Sequence, residues 1–488
     1  MKRSSILAVV ALSLHSLACS SSSNHGSPPG TAGRAGGGDS ASTGGSLAAG
    51  GNTVTGGTST TGGTVALGGT ATIGSTTLPG GSTAIGGTAG TTGGATQIGG
   101  TTATGATIPT GGSTATGGAT GVGGGTAAAT CTAEYTGSET RPLLTDASAA
   151  CFTVQNYLAQ AGPTAAPVRD DWDPSAGLPD AGTYSPTYIV AADGSGTHTT
   201  VQDAITAANG SGSSSRVYVL VKPGAYRELV CVKGSVPITI YGTDADSTKV
   251  TIGFDNYNGK PVDATKTNAC AAVSGATYGT SGSSTFFSSS PGFQAQNLTI
   301  ANDFAEGSLT SNLQAVALTV QGDRQVFQNV RLIGNQDTLQ VKSSATGTVA
   351  RSYFRNSYIE GDTDFIFGRG TAVFDSCTIT YVSGRKTNST HIAPSTEATN
   401  PFGFLIINSK MVGDSGMPTG TAFLGRSWDD SSATAPNGQA VIRNTEIGGH
   451  IKIAAPWAAA ATSSRAFSAS GNRLYEYKNT GPGAAGGS

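Results

Sequence analysis

From residue 183 onward the chain is built of short apolar alternations separated by Gly, Asn, Asp and Ser. Tyr188-Ile-Val190, Val217-Tyr-Val-Leu-Val221, Ile238-Thr-Ile-Tyr241, Val250-Thr-Ile252, Leu298-Thr-Ile300, Ala317-Leu-Thr-Val320, Val330-Arg-Leu-Ile333 and Phe404-Leu-Ile-Ile407 each show a period of two or a brief apolar run. Segments of this length and pattern predict strands. Only Thr200-Val-Gln-Asp-Ala-Ile-Thr-Ala-Ala208 has helical spacing, with a threonine cap in front and glycine behind.

The strands return in a recurring phrase: Phe293-Gln-Ala-Gln-Asn-Leu-Thr-Ile300, Phe327-Gln-Asn-Val-Arg-Leu-Ile333, Phe354-Arg-Asn-Ser-Tyr-Ile359, Phe374-Asp-Ser-Cys-Thr-Ile379 and Val441-Ile-Arg-Asn-Thr-Glu-Ile447. Each reads apolar, polar, Asn or Ser, then strand. A unit of about two dozen residues matches one coil of a solenoid. The expected fold is all-β, a right-handed parallel β-helix with one short N-terminal helix, in which equivalent positions stack in columns.

The first 182 residues read differently. Lys2-Arg3 precede an apolar run from Ile6 to Leu17, too short to span a bilayer, and Leu17-Ala18-Cys19 precede a serine run. This resembles a bacterial lipoprotein signal, with Ser16 where that pattern usually has Leu. It implies export and lipidation at Cys19, with Ser20 pointing to the outer membrane; simple secretion is the alternative. From Ser40 to Ala133 there is no charged residue or histidine, and Gly-Gly-Thr variants recur every six positions. Too few aliphatics accompany them for a hexapeptide β-helix, so residues 19–130 are expected to be a flexible spacer. Residues 131–182 form a lead-in to the domain at 183–488. In it, Asp170-Asp-Trp-Asp-Pro174 reads as a solvated turn packed on the main domain rather than a calcium loop.

A net charge of −2 offers no basic surface for nucleic acid. No cysteines have zinc spacing. In an exported chain Cys131 with Cys151, and Cys231 with Cys270, are the simplest disulfide pairs, and Cys377 reads as a buried thiol.

Gly361-Asp-Thr-Asp-Phe-Ile-Phe-Gly368 sets two acids against an apolar run, where a charge is costly unless paired or used. Gln314, Asp337 and Asp364 are 23 and 27 positions apart, about one coil each, so the three align on adjacent coils. Gln336 adjoins Asp337, and Arg426 lies downstream. Asp362 and Glu228 read as structural, His198 and His391 as isolated and non-catalytic, and Trp457 as packing or groove wall.

Gly224-Ala-Tyr-Arg-Glu228, Gln314-Ala-Val-Ala-Leu318, Gly334-Asn-Gln-Asp-Thr-Leu339, the Gly361–Gly368 segment and Leu424-Gly-Arg-Ser-Trp428 follow one another as in pectin methylesterases, which this chain resembles from about residue 183 to 483. The resemblance implies hydrolysis of galacturonate methyl esters in pectin. Asp364 would be the nucleophile, Asp337 the general acid/base, Gln314 and Gln336 the oxyanion donors, and Arg426 the partner that holds Asp364 ionised. Trp428 and Phe365 would contact substrate. No metal or cofactor is implied, and a monomer is expected. Ser427 replaces the family's usual proline, and a looser Arg426 loop is the expectation. Other readings are a pectate lyase or polygalacturonase on a similar solenoid, whose motif sets are missing, or an adhesive pectin-binding protein that has lost the chemistry.

Overall fold

A computed structural model describes residues 131–430 and 436–486; Cys19 and the Gly/Thr segment lie outside them. Among the described residues, eighteen strands join one largely parallel sheet and seven join a second, fully parallel one. Strands that are distant in sequence pair in parallel, coil upon coil, which is the expected parallel β-helix.

One coil illustrates the geometry. Strand Arg351–Arg355 is followed by a corner at Asn356, strand Tyr358–Gly361, a second corner at Asp364, and strand Ile366–Gly368. Each strand pairs in parallel with its counterpart in the next coil: Thr371–Asp375, Thr378–Tyr381 and Thr390–Pro394.

The Asn or Ser of the recurring phrase is the first corner. Asn297, Asn329, Asn356, Ser376, Asn408 and Asn444 all have φ between 48° and 57°. Short polar side chains tolerate this left-handed region best and can bond locally. Here they also bond between coils: Asn329 Nδ2 donates to Asn297 Oδ1 at 2.9 Å, and Asn408 Nδ2 to Asp375 Oδ1 at 3.1 Å. The aromatic before the corner turns inward. Phe327, Phe354 and Phe374 stack with centroids 4.8 and 5.0 Å apart, each burial contributing about 1.5–3 kcal/mol. The phrase at Phe293 is out of step by two residues, since Ala295 occupies the column position of Phe327. Its Asn297 nonetheless keeps the corner.

The expected helix spans Val201–Gly210, two residues further than its alternation implied. Thr200 caps it, and the half-buried Glu228 carboxylate accepts from the backbone N–H of Val201 and Gln202, the structural role expected of it. Short helices at Asp146–Ala149, Val154–Ala159 and Gly279–Gly282 accompany it.

The lead-in is the largest surprise. Its strand Arg141–Leu144 pairs in parallel with Arg473–Tyr477, the last strand of the solenoid. Arg141 forms a buried ion pair with Glu476 at 2.8 Å and also donates to the carbonyl of Gly483. Phe152, Tyr157 and Leu158 pack a second core against Tyr353, Val373, Phe402 and Tyr475. Asp170 is not a solvated turn residue: it grips the fully buried Arg351 guanidinium through two hydrogen bonds, with Asp323 on the other side. Cys131–Cys151 and Cys231–Cys270 are disulfide-bonded, and Cys377 is a buried free thiol.

Candidate active site

The seven-stranded sheet positions the site. Leu318, Leu339, Ile366 and Ile392 lie in register on successive coils. Asp337, Asp364 and Thr390 each lie two residues before their member of that row, so they fall on three adjacent coils. Asp337 N–H donates to the carbonyl of Thr363, and Asp364 N–H to that of Thr390. Both aspartates are corner residues in the left-handed region, with φ of 68° and 46°. A non-glycine residue held there carries local strain, of a kind that gathers at functional sites.

Asp364 is clamped. Arg426 Nε donates to its Oδ1 at 2.9 Å, Arg426 Nη2 donates to its Oδ2, and Thr390 Oγ1 donates to Oδ1. Burial works against the Arg426 charge, but its hydrogen bonds to Asp364 together with the attraction of the nearby Asp364 and Asp337 carboxyls outweigh that and raise its pKa. Asp337 is in the opposite situation. It is buried, and burial followed by repulsion from Asp364 raises its pKa well above the usual carboxylate range. Asp337 thus holds its proton beside a carboxylate paired with arginine, the arrangement that acid/base chemistry needs.

Both acids open onto a cleft of about 240 Å³, which Gln314, Gln336, Phe367, Arg426 and Trp428 also line. Gln314 Oε1 is buried without a hydrogen-bond partner among the described residues. Trp428 stands at 61° to Phe367, centroids 5.8 Å apart, and its indole N–H donates to Thr462 Oγ1. Thr280, Ala461 and Thr462 complete the lining. No cluster of three His, Cys, Asp or Glu side chains among the described residues is arranged to hold a metal ion.

The cleft thus brings together six of the seven expected site residues of the domain. Phe365 is the exception: it is fully buried in the solenoid core, in edge contact with Tyr381, and cannot touch substrate. The left-handed turn at Asp364 interrupts the strand alternation, so Phe365 and Ile366 both turn inward and Phe367 faces the cleft. Thr390 escaped the sequence reading, although it follows Asp364 by 26 positions, one more coil step.

Asp362 is scaffold. It is fully buried and paired with Arg385, whose Nε donates at 2.7 Å. His391 is not isolated: its Nδ1 donates to the carbonyl of Phe423 at 2.9 Å, leaving Nε2 to accept from His450 Nε2 at 3.2 Å. Burial pushes the two imidazoles down to about 3 and 4, so both are neutral packing beneath the site. Trp457 is core packing at 3% exposure. Ser427 does not loosen the Arg426 loop; it is buried, donating to Asp429 Oδ1 and accepting from the N–H of Gly438, each at 2.9 Å.

A family model described as Pectinesterase matches residues 187–488. A pectinesterase of Ralstonia nicotianae is 44% identical over 374 residues, covering 73% of this chain and 94% of the relative. The chain belongs to the pectinesterase family. It is accordingly a carboxylic ester hydrolase. The family likeness extends to solved folds. The structure of rice weevil pectin methyl esterase superimposes with a TM-score of 0.61 at 30% identity, covering 72% of this chain and all of that one. That of Escherichia coli YbhC superimposes with a TM-score of 0.63 at 32% identity, covering 71% and 96%.

Proposed function

We propose that the protein hydrolyses methyl esters of galacturonate in pectin, releasing methanol, through an acyl-enzyme on Asp364. The observation that carries this reading is the pairing of a clamped carboxylate, Asp364, with a buried acid of raised pKa, Asp337, in one cleft.

Asp364 attacks the ester carbonyl, and the tetrahedral oxyanion is received by the amide N–H groups of Gln314 and Gln336. Asp337 gives its proton to the departing methoxide, so methanol leaves and an anhydride links substrate to Asp364. Asp337, now a carboxylate, takes a proton from the water that attacks the anhydride. Collapse frees the galacturonate and restores Asp364, and Asp337 is again protonated. Arg426 orients Asp364 throughout. Trp428 and Phe367 supply apolar surface for the sugar chain and the ester methyl. The chain's own carboxylates and amides account for every proton, so the reading needs no cofactor.

The N-terminal expectations belong to the same reading. Residues 1–18 direct export, Cys19 carries lipid at the outer membrane, residues 19–130 give reach, and the catalytic unit acts as a monomer. Detergent-phase partitioning that is lost in Cys19→Ala supports the anchor.

The deciding experiment is methanol release from highly methylated pectin. Steady release with rising free carboxylate, and no shortening of the polymer, supports the reading. Depolymerisation without methanol overturns it.

A further inference from the structure

We propose that Asp429 and Arg465 are positioning residues for the reaction: as one ion pair they brace the turn at Thr462 against Trp428 and so fix the Trp428 ring where substrate meets it. This rests on the pectin methylesterase reading above and deepens it by naming what holds that side of the cleft in place.

Strand Phe423–Gly425 is the outermost of the seven-stranded sheet, and Arg426 and Trp428 follow it. On one side their backbone is tied to the preceding coil: Arg426 N–H donates to the carbonyl of Ile392, and Trp428 N–H to that of Pro394. On the other side, among the described residues, residues 456–465 lie where a further strand would be. Ala458 N–H donates to the carbonyl of Gly425, and Ala461 N–H to that of Ser427. This segment has few anchors of its own, because Ala458-Ala-Ala-Ala461 offers only methyl groups. Its turn is also strained: Thr462 and Ser464 sit at φ of 71° and 56°. For a β-branched threonine that region is costly, and it persists only where the surroundings over-determine it.

Asp429 supplies that constraint. Its carboxylate accepts from Arg465 Nε and Nη2, each at 2.9 Å, from Ser463 Oγ at 2.6 Å and from Ser427 Oγ at 2.9 Å. The Ser427 hydroxyl is a donor that a proline there would lack. Burial works to raise the Asp429 pKa, but these hydrogen bonds and the Arg465 charge hold it below the usual carboxylate range. Arg465 Nη1 reaches on to the carbonyl of Gly471 at 3.0 Å and to Asn472 Oδ1 at 2.8 Å. One guanidinium fork thus joins three stretches of chain, which a lysine ammonium does not reproduce. Asp429 and Ser463 directly follow Trp428 and Thr462, so fixing the first pair fixes the second. The Trp428 indole N–H donates to Thr462 Oγ1 at 3.2 Å while its ring stands against Phe367 in the cleft. Without the ion pair the turn relaxes toward ordinary φ, Thr462 withdraws, and the indole loses its outer support.

The test follows methanol release from methylated pectin across substrate concentration, using the full chain. Arg465→Met raises KM by about fivefold, the upper range for a partly exposed ion pair, and changes kcat by less than about twofold. Asp429→Asn does the same, and the two changes together cost no more than either alone, because they break one pair. In a Trp428→Ala background, Arg465→Met moves KM by less than about twofold. A control, Lys410→Met, removes an exposed lysine paired with Glu446 and leaves both constants unchanged. A purely structural role would lower kcat through a smaller folded fraction and leave KM where it was. That result, or a KM effect that persists without Trp428, overturns the proposal. A second readout needs no turnover: acrylamide quenches tryptophan emission more strongly in Arg465→Met, and the increase disappears in a Trp428→Phe background. Unchanged quenching also overturns the proposal. Absence of methanol release by the unaltered protein, with this quenching pattern intact, counts against the esterase reading alone.

Discussion

Thr390 donates its hydroxyl hydrogen to Oδ1 of Asp364, the same oxygen that receives Arg426 Nε. Among the described residues, Oδ2 receives only Arg426 Nη2. The two oxygens are therefore unequal, and Oδ2 is the freer one to attack an ester. Thr390→Val keeps the side-chain shape and removes this donor. Losing one hydrogen bond to a charged group is worth about 1.5–3 kcal/mol, so kcat falls roughly tenfold to a hundredfold while KM moves little. Thr390→Ser recovers most of the rate. Full activity in Thr390→Val with a loss in Thr390→Ser would mean that the methyl group's packing matters instead of the hydroxyl.

Asp364→Ala removes the proposed nucleophile from a corner that lines the cleft and lies outside the apolar core, so the solenoid should survive. Methanol release drops by roughly three orders of magnitude or more, with an unchanged far-ultraviolet spectrum. Substantial remaining turnover would reassign the nucleophile.

Asp337 links activity to stability through pH. Its raised pKa means that the folded protein holds a proton there that the unfolded chain has already released, over the window from the usual carboxylate range up to the raised value. Within that window stability falls as pH rises, because the native state must bury either a proton being stripped or a charge. Asp337→Asn stays neutral throughout. It therefore raises Tm at neutral pH and gains little at about pH 4, while abolishing most activity. A Tm difference independent of pH would contradict this.

Arg385 is the counter-charge of the fully buried Asp362. Removing one member of a buried pair strands the other, at about 3–5 kcal/mol. Arg385→Ala should lower stability by that order in chemical denaturation. Loss of activity without loss of stability would move this pair from scaffold into the chemistry.

The solenoid was legible in the chain because its corners are stereochemically demanding. A left-handed residue at every coil selects Asn, and Asn after an inward aromatic makes a phrase that repeats. Coil spacing then aligned Gln314, Asp337 and Asp364 without any structure. Phe365 was misplaced because the same left-handed geometry at Asp364 shifts the alternation by one. A reader counting inward and outward positions crosses that corner without seeing it. His391 and His450 lie 59 residues apart with no shared phrase, and only packing joins them. The lead-in was opaque for a similar reason: pairing between Arg141–Leu144 and Arg473–Tyr477 leaves no periodic trace in either segment.

That pairing imposes an order of events. A coil can form as soon as the preceding one exists, so a solenoid can grow behind the emerging chain. Here the strand that seals its far end belongs to the segment made first. Asp170 can grip Arg351 once the middle coils exist, but Arg141 must wait for Glu476, so this one strand stays unpaired with the solenoid until nearly the whole domain has been synthesised, and closure reports that the last coil has arrived.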